Sequence, residues 1–334
     1  MQVIAVVSAI GAFLAVLAPF IYLKAFHRSI PKMVAKFPLT HNVHYDRKFP
    51  QILRAFLSGS NWALKPVLPM SGLRARLDNR FEPFYKGFAY EGAGMGLGVK
   101  SALFPSRGRR FEAYIHQLSP GYLYQYYVGL GWYLTIRHGF RYGGYKRWIK
   151  QLHPRYAPIV FDGAGFKTAL FHYKKNKQII QKFRHFPFSY QRVCYQGFGR
   201  CLWFLTEFDL QKTAAELENL PAEFRHDAYS GVGLAAAYSF FDQLAFAAHA
   251  DKQIPEQYRP AFRQGLAFGW EARRLQDPVY WDEQLERYTY PVILKVTGFV
   301  DRVHEAVQLL GEDDTEADYY MRWMDTVRSL LKEK

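Results

Sequence analysis

The sequence predicts an all-α protein: a solenoid of about six helical hairpins with a period of about 34 residues, preceded by one transmembrane helix. Three observations carry this. Gly129, Gly163, Gly197, Gly231 and Gly265 follow one another at equal intervals of 34 residues, which marks repeat architecture. Pro154, Pro187, Pro221 and Pro255 stand nine or ten residues ahead of the last four, where proline suits the first turn of a helix. Val3–Leu23 is an uncharged run of 21 residues, enough to span a bilayer core.

Taken in order, residues 1–24 read as a transmembrane anchor. No Lys or Arg precedes the apolar run and no small-x-small site ends it, which argues against a cleaved signal peptide. Residues 25–48 read as a basic juxtamembrane linker. Lys24, Arg28, Lys32 and Lys36 then place the C-terminal bulk in the cytoplasm, giving a single-pass membrane protein. Residues 49–334 form the helical-repeat domain. Pro50–Lys65, with Gly59, is a degenerate opening unit. Gly87 is read as the first anchor glycine, 42 residues before Gly129, with an insertion at Pro105–Arg110. Gly298, 33 residues after Gly265, marks a C-terminal cap.

Within each unit, a Gly or Ala follows the anchor by two: Ala89, Gly131, Gly165, Gly199, Gly233, Ala267. An aromatic precedes it by two at Tyr85, Tyr127, Phe161, Tyr195 and Tyr229. A first helix therefore runs from the proline through the glycines. A second one, such as Asn176–Phe186 or Thr213–Leu220, returns. Glycine inside a helix costs about 1 kcal/mol relative to alanine. Two per helix make sense where another helix packs closely.

Charge is divided along the chain. Residues 1–200 hold 30 Lys/Arg against 6 Asp/Glu, and residues 201–334 hold 14 against 23. A basic region after an apolar segment points to anionic membrane lipid as a partner. Cys194 and Cys201 stand seven apart on one helix, too far for a disulfide there, and suit packing.

No nucleotide, zinc or nucleophile motif is present, and no cofactor is expected. Gly92, Gly94, Gly96 and Gly98 follow no strand, so they do not form a phosphate loop. No polar code recurs at fixed repeat positions, so nucleic acid is not an expected partner. Residues that break the repeat are the better site candidates. Glu91 and Lys167 are charged where other units are not, and Arg200 replaces an aromatic or aliphatic residue. Asp162 and Glu207 lie close by in the pattern. Charges on an inner helix are costly unless paired or wet. With Tyr90, Trp132, Trp203 and Tyr238 they make a candidate ligand groove, an aromatic channel beside a few charges. An inter-repeat salt-bridge network is the structural alternative. His138 and His172 occupy equivalent positions and are weak metal candidates, since no third ligand is evident.

The ordered segments GFAYEGAGMGLG, GLGWYLTIR, DGAGFKTALF, QGFGRCLWFL and SGVGLAAAYS resemble a bacterial domain-of-unknown-function family encoded beside enediyne polyketide synthases. The resemblance covers about Phe49 to Arg274. It implies an apolar polyene or polyketide-derived chain as ligand, and a membrane protein partner from the same pathway. This chain departs from the pattern in its N-terminal run and in WDEQLERYTY (Trp281–Tyr290), where the family carries a His/Cys-bearing stretch. The expected function is thus a membrane-associated accessory protein of enediyne-like polyketide biosynthesis, binding or transforming that chain; whether it is an enzyme stays open. The alternative is a non-enzymatic scaffold recruiting a protein partner to the membrane. A deep apolar groove favours the first reading, and a shallow charged face the second.

Overall fold

The computed structural model describes residues 17–103, 105–311 and 314–332, and among these there are helices and turns but no strand. A helix at 17–26 (α1) and α2 (Ile30–Val34) lead into α3 (Val43–Ala63). There follow α4 (Met70–Asn79), α5 (Pro83–Ser101), α6 (Phe111–Ile115), α7 (Leu123–His138), α8 (Tyr142–Ile149) and α9 (Val160–Thr168). Then come α10 (Phe188–Leu205), α11 (Leu210–Leu217), α12 (Ala222–Ser239), α13 (Leu244–Ala250), α14 (Arg259–Gln276) and α15 (Pro278–Leu285). A terminal hairpin, α16 (Tyr290–Leu310) and α17 (Tyr319–Leu330), completes the chain. Pro187 and Pro221 cap α10 and α12 at their N-termini. The returning segment Lys177–His185 is a run of 3-10 turns rather than an α-helix.

Seven inner helices, α3, α5, α7, α9, α10, α12 and α14, pack side by side, each against the next. The glycines explain how. A Cβ added to Gly163, Gly197, Gly231 or Gly265 would lie 1.8 to 2.0 Å from a carbonyl oxygen of the preceding inner helix. One added to Gly131, Gly165, Gly199 or Gly233 would lie 1.9 to 2.0 Å from a carbonyl oxygen of the following one. The first glycine of each pair faces backward and the second forward, so the inner helices between the first and the last touch two neighbours through backbone. The paired positions advance together, Gly94 beside Tyr126 and Gly98 beside Leu130, so neighbouring inner helices run parallel.

This geometry corrects the register of the first unit. The backward and forward glycines of α5 are Gly92, facing the Phe56 carbonyl, and Gly94, facing Tyr126. Gly87 plays a different part: a Cβ there would strike the Tyr238 hydroxyl and Gln276, from the last two inner helices. The first interval is therefore 37 residues, from Gly92 to Gly129, rather than 42. Gly59 is the forward glycine of α3, against the Ala89 carbonyl, which makes the opening unit a full member of the array. Gly298 meets no atom within 4 Å and is not a packing glycine.

The array curls until its ends meet. Arg273 on α14 donates to the Phe84 carbonyl at 2.9 Å and twice to the Tyr238 carbonyl, at 2.6 and 3.1 Å. Lys48 on α3 donates to the Ser239 carbonyl at 2.9 Å and pairs with Asp242. Both cations sit at the carbonyl end of α12, where the helix dipole favours positive charge. The beginnings of α3 and α5 are thereby bound to the ends of α12 and α14.

The expected transmembrane helix is corrected. Its residues 3–16 lie outside the described residues. Among the described ones, no helix is long and apolar enough to cross a membrane. Residues 17–26 rise only about 15 Å against a hydrocarbon core of about 30 Å. They also pack on the protein: Leu23 is buried, Phe26 meets the Tyr133 ring, and the Tyr22 and Tyr133 hydroxyls lie 2.9 Å apart.

Candidate functional site

All seven inner helices contribute to one central, partly open cavity of about 90 Å³. The backbone packing dictates which residues reach it. Three positions after the backward glycine the side chain points inward in α7, α9, α10, α12 and α14, giving Trp132, Phe166, Arg200, Leu234 and Phe268, all in the cavity wall, whereas Met95 of α5 is not part of it. Helix α3 adds Phe49, Ile52, Leu53 and Phe56, and α12 adds Tyr238. Helix α17 lies across the opening. Its Trp323 stacks on Phe268 with ring centroids 4.1 Å apart, and its Tyr320 hydroxyl bonds Gln196 Oε1 at 3.0 Å. Ion pairs hold α17 down: Arg192 joins Asp325 at 2.6 Å, and Arg328 joins Asp227 at 2.9 Å.

The position just before each backward glycine carries a second pattern. It reads Glu91, Val128, Asp162, Gln196, Ser230 and Gln264, a mostly polar line buried in the packed interior. Glu91 and Asp162 are equivalent residues two units apart, and Arg200 reaches both. Its Nη1 donates to Asp162 Oδ1 at 2.8 Å, and its Nη2 lies 3.6 Å from Glu91 Oε2. The guanidinium also stands over the Phe166 ring, 5.1 Å from its centroid.

Two carboxyls and one guanidinium share an apolar enclosure, and their protonation reflects it. Burial pushes Glu91 up to about 7; Arg200 opposes this and Asp162 adds to it. Burial raises Asp162 to about 6 against the pull of Arg200. Burial alone would lower Arg200, but Asp162 and then Glu91 outweigh it and raise it. With everything ionised the cluster carries one excess negative charge, which in this buried setting favours a protonated carboxyl. Glu271, also in the wall, pairs with Arg274 at 2.8 Å and lies 3.0 Å from His304 Nε2.

Two buried polar atoms in the wall lack partners. The Trp132 indole N–H sits near the Glu91 carboxylate and helps lower its pKa, yet completes no hydrogen bond. Gln125 Oε1 likewise has none. Trp132 and Gln125 are 5% and 7% exposed, so bulk water does not satisfy them.

Of the residues singled out in the sequence, Glu91, Trp132, Asp162, Arg200 and Tyr238 meet in this cavity. Tyr90 points away from it, stacking on Tyr122 and donating to Asp78 at 2.6 Å. Trp203 is core, its indole donating to Ser239 Oγ at 3.0 Å. Lys167 Nζ lies 3.1 Å from His172 Nε2 at the surface. Glu207 is half-buried in a loop, where its carbonyl accepts from Asn42 at 2.6 Å. His138 packs beside Tyr145, and among the described residues no group of three His, Cys, Asp or Glu side chains could hold a metal ion. The sequence reading missed Tyr124, Gln125, Glu271, Tyr320 and Trp323. Phe268 was findable, because it shares the repeat position of Arg200.

A family model described as "Protein of unknown function (DUF1702)" matches residues 34–330. No curated protein and no solved structure matches the chain. The chain belongs to the DUF1702 family.

Proposed function

We propose that this DUF1702 protein binds an elongated, mainly apolar small molecule by one end, its polar group held in the central cavity at Glu91, Asp162 and Arg200 and the rest of the chain leaving through the cavity's open side. The polar cluster with the unpartnered Trp132 N–H, inside an otherwise aromatic and aliphatic enclosure, carries this reading. A buried charge cluster is a poor stabiliser, since well-packed apolar residues of similar volume are often as good or better. Its placement in the wall of a cavity, rather than between packed helices, fits a ligand. A mainly apolar cavity also favours ligand binding over the scaffold reading, which asks for a shallow charged face. A polyene or polyketide-derived chain has the right character, and an accessory role in the biosynthesis of an enediyne-like product follows from that ligand. The strongly basic residues 1–200 suit an anionic lipid surface from which such a molecule can be drawn.

The test uses 1,6-diphenyl-1,3,5-hexatriene, an uncharged linear polyene that fluoresces in apolar surroundings. The purified full-length chain should bind it saturably at about one equivalent. Leu234→Trp, which fills the cavity from α12, should abolish the signal while the helical circular dichroism is kept. Unchanged binding in Leu234→Trp, or no saturable binding by the wild type, refutes the assignment.

A further inference from the structure

Resting on that reading, the donors and acceptors of the cavity also specify the ligand's polar end. We infer that it is an uncharged hydroxyl-type group, one that donates and accepts a hydrogen bond, and that a carboxylate end is rejected.

The first argument is charge. Among the described residues Arg200 is the only Lys or Arg in the cavity wall, and it already serves two carboxyls. The neighbouring Arg274 is committed to Glu271. A ligand carboxylate would place another anion beside Glu91 and Asp162 with no cation to spare. In a desolvated site, like charges at such range are strongly disfavoured.

The second argument is hydrogen bonding. Trp132 Nε1 is a donor without an acceptor, and Gln125 Oε1 is an acceptor without a donor. Indole can only donate. A hydroxyl accepts from Trp132 and donates its proton to Glu91 or Gln125, so one group answers both kinds of need. An ammonium answers the acidic excess but leaves the indole N–H unmet, because it has no acceptor. Phe56, Phe166 and Leu234, in the wall around the cluster, offer apolar contact to the adjoining part of the ligand.

The experiment is calorimetric titration of the full chain with 1-decanol, decanoate and decylammonium at pH 8. Decanol should bind at least tenfold more tightly than either ion. Glu91→Gln should narrow the gap to decanoate several-fold, since it removes one of the repelling carboxyls. Independently of any variant, decanoate binding by the wild type should strengthen as pH falls from 8 to 6 and Glu91 takes up its proton. Equal binding of decanol and decanoate, or no pH dependence for decanoate, overturns the inference and leaves the cavity assignment standing. Decylammonium binding more tightly than decanol also overturns it, showing that net charge outweighs the indole. If diphenylhexatriene binds but decanol does not, the inference falls alone. If none of the four probes binds, it falls together with the cavity assignment.

Discussion

Replacing Gly199 by alanine isolates the interaction that builds the fold. Its added Cβ would lie 1.9 Å from the Ala228 carbonyl oxygen and 2.7 Å from the carbonyl carbon. Carbon-to-oxygen contacts normally begin at about 3.3 Å. Helices α10 and α12 must therefore separate by more than 1 Å, because backbone cannot swing aside as a side-chain tip can. A radial gap of about 1 Å forfeits up to half the dispersion energy of the atoms facing it. The same separation loosens Gly231 from the Gln196 carbonyl, against which an added Cβ would lie at only 1.8 Å. Overpacking of this kind costs about 1–3 kcal/mol or more. Against it stands the helix propensity gained from Gly to Ala, about 1 kcal/mol. The balance is about 0–2 kcal/mol against alanine, toward the upper end because the clash is with backbone. Gly298→Ala is the control: it lies inside α16 with nothing within 4 Å, so only the propensity gain remains. Thermal melting followed by circular dichroism should show Gly199→Ala falling by several degrees while Gly298→Ala rises slightly. A Gly199→Ala protein melting at or above the wild type would refute the backbone-contact account.

Three further outcomes follow from the same geometry. The raised pKa of Glu91 means that the folded chain holds a proton which the unfolded chain has released between about pH 4.5 and 7, so its contribution to stability is lost as pH rises through that window; Glu91→Gln should therefore gain stability relative to wild type on going from pH 5 to pH 8, and a pH-independent difference in scanning fluorimetry would contradict this. Trp323→Ala removes a 6%-exposed ring stacked on Phe268 and should cost about 3–5 kcal/mol, read as a shift in the urea midpoint. Arg273→Met keeps the bulk but leaves the Phe84 and Tyr238 carbonyls without their donors, at about 1.5–3 kcal/mol for each hydrogen bond to the charged group; an unchanged melting temperature would show that these bonds do not close the array.

The repeat was legible because backbone contact leaves no alternative to glycine, so the spacing from Gly129 to Gly265 stands in the sequence without noise. The first unit was misread because α5 is glycine-rich throughout, and Gly87 and Gly92 compete for the same role. Only the neighbour tells them apart, the Phe56 carbonyl for Gly92 and the Tyr238 hydroxyl for Gly87. That slip hid the equivalence of Glu91 and Asp162, whose separation includes the longer first interval. Arg200 was legible because it breaks a row of apolar residues at one repeat position. Tyr320 and Trp323 were not, since α17 lies outside the repeat and nothing local says which face of a terminal helix covers the cavity. The Val3–Leu23 run was read by hydropathy alone, which does not register that Tyr22, Leu23 and Phe26 are committed to contacts with the rest of the protein.

Fold and chemistry occupy different positions of the same unit. The two glycines fix the distance between inner helices, and through it the direction of the residue three places after the backward one. From α7 to α14 that residue faces the cavity whatever its identity, as Trp132, Phe166, Arg200, Leu234 and Phe268 show. Substitutions there change the lining without touching the backbone contacts. The residue before the backward glycine is more constrained, because its carbonyl is the surface on which the next helix rests. Its side chain is free to differ, and at Glu91 and Asp162 it carries charge into the cavity. The cavity lining can therefore change one unit at a time while the glycine spacing holds the helices in place.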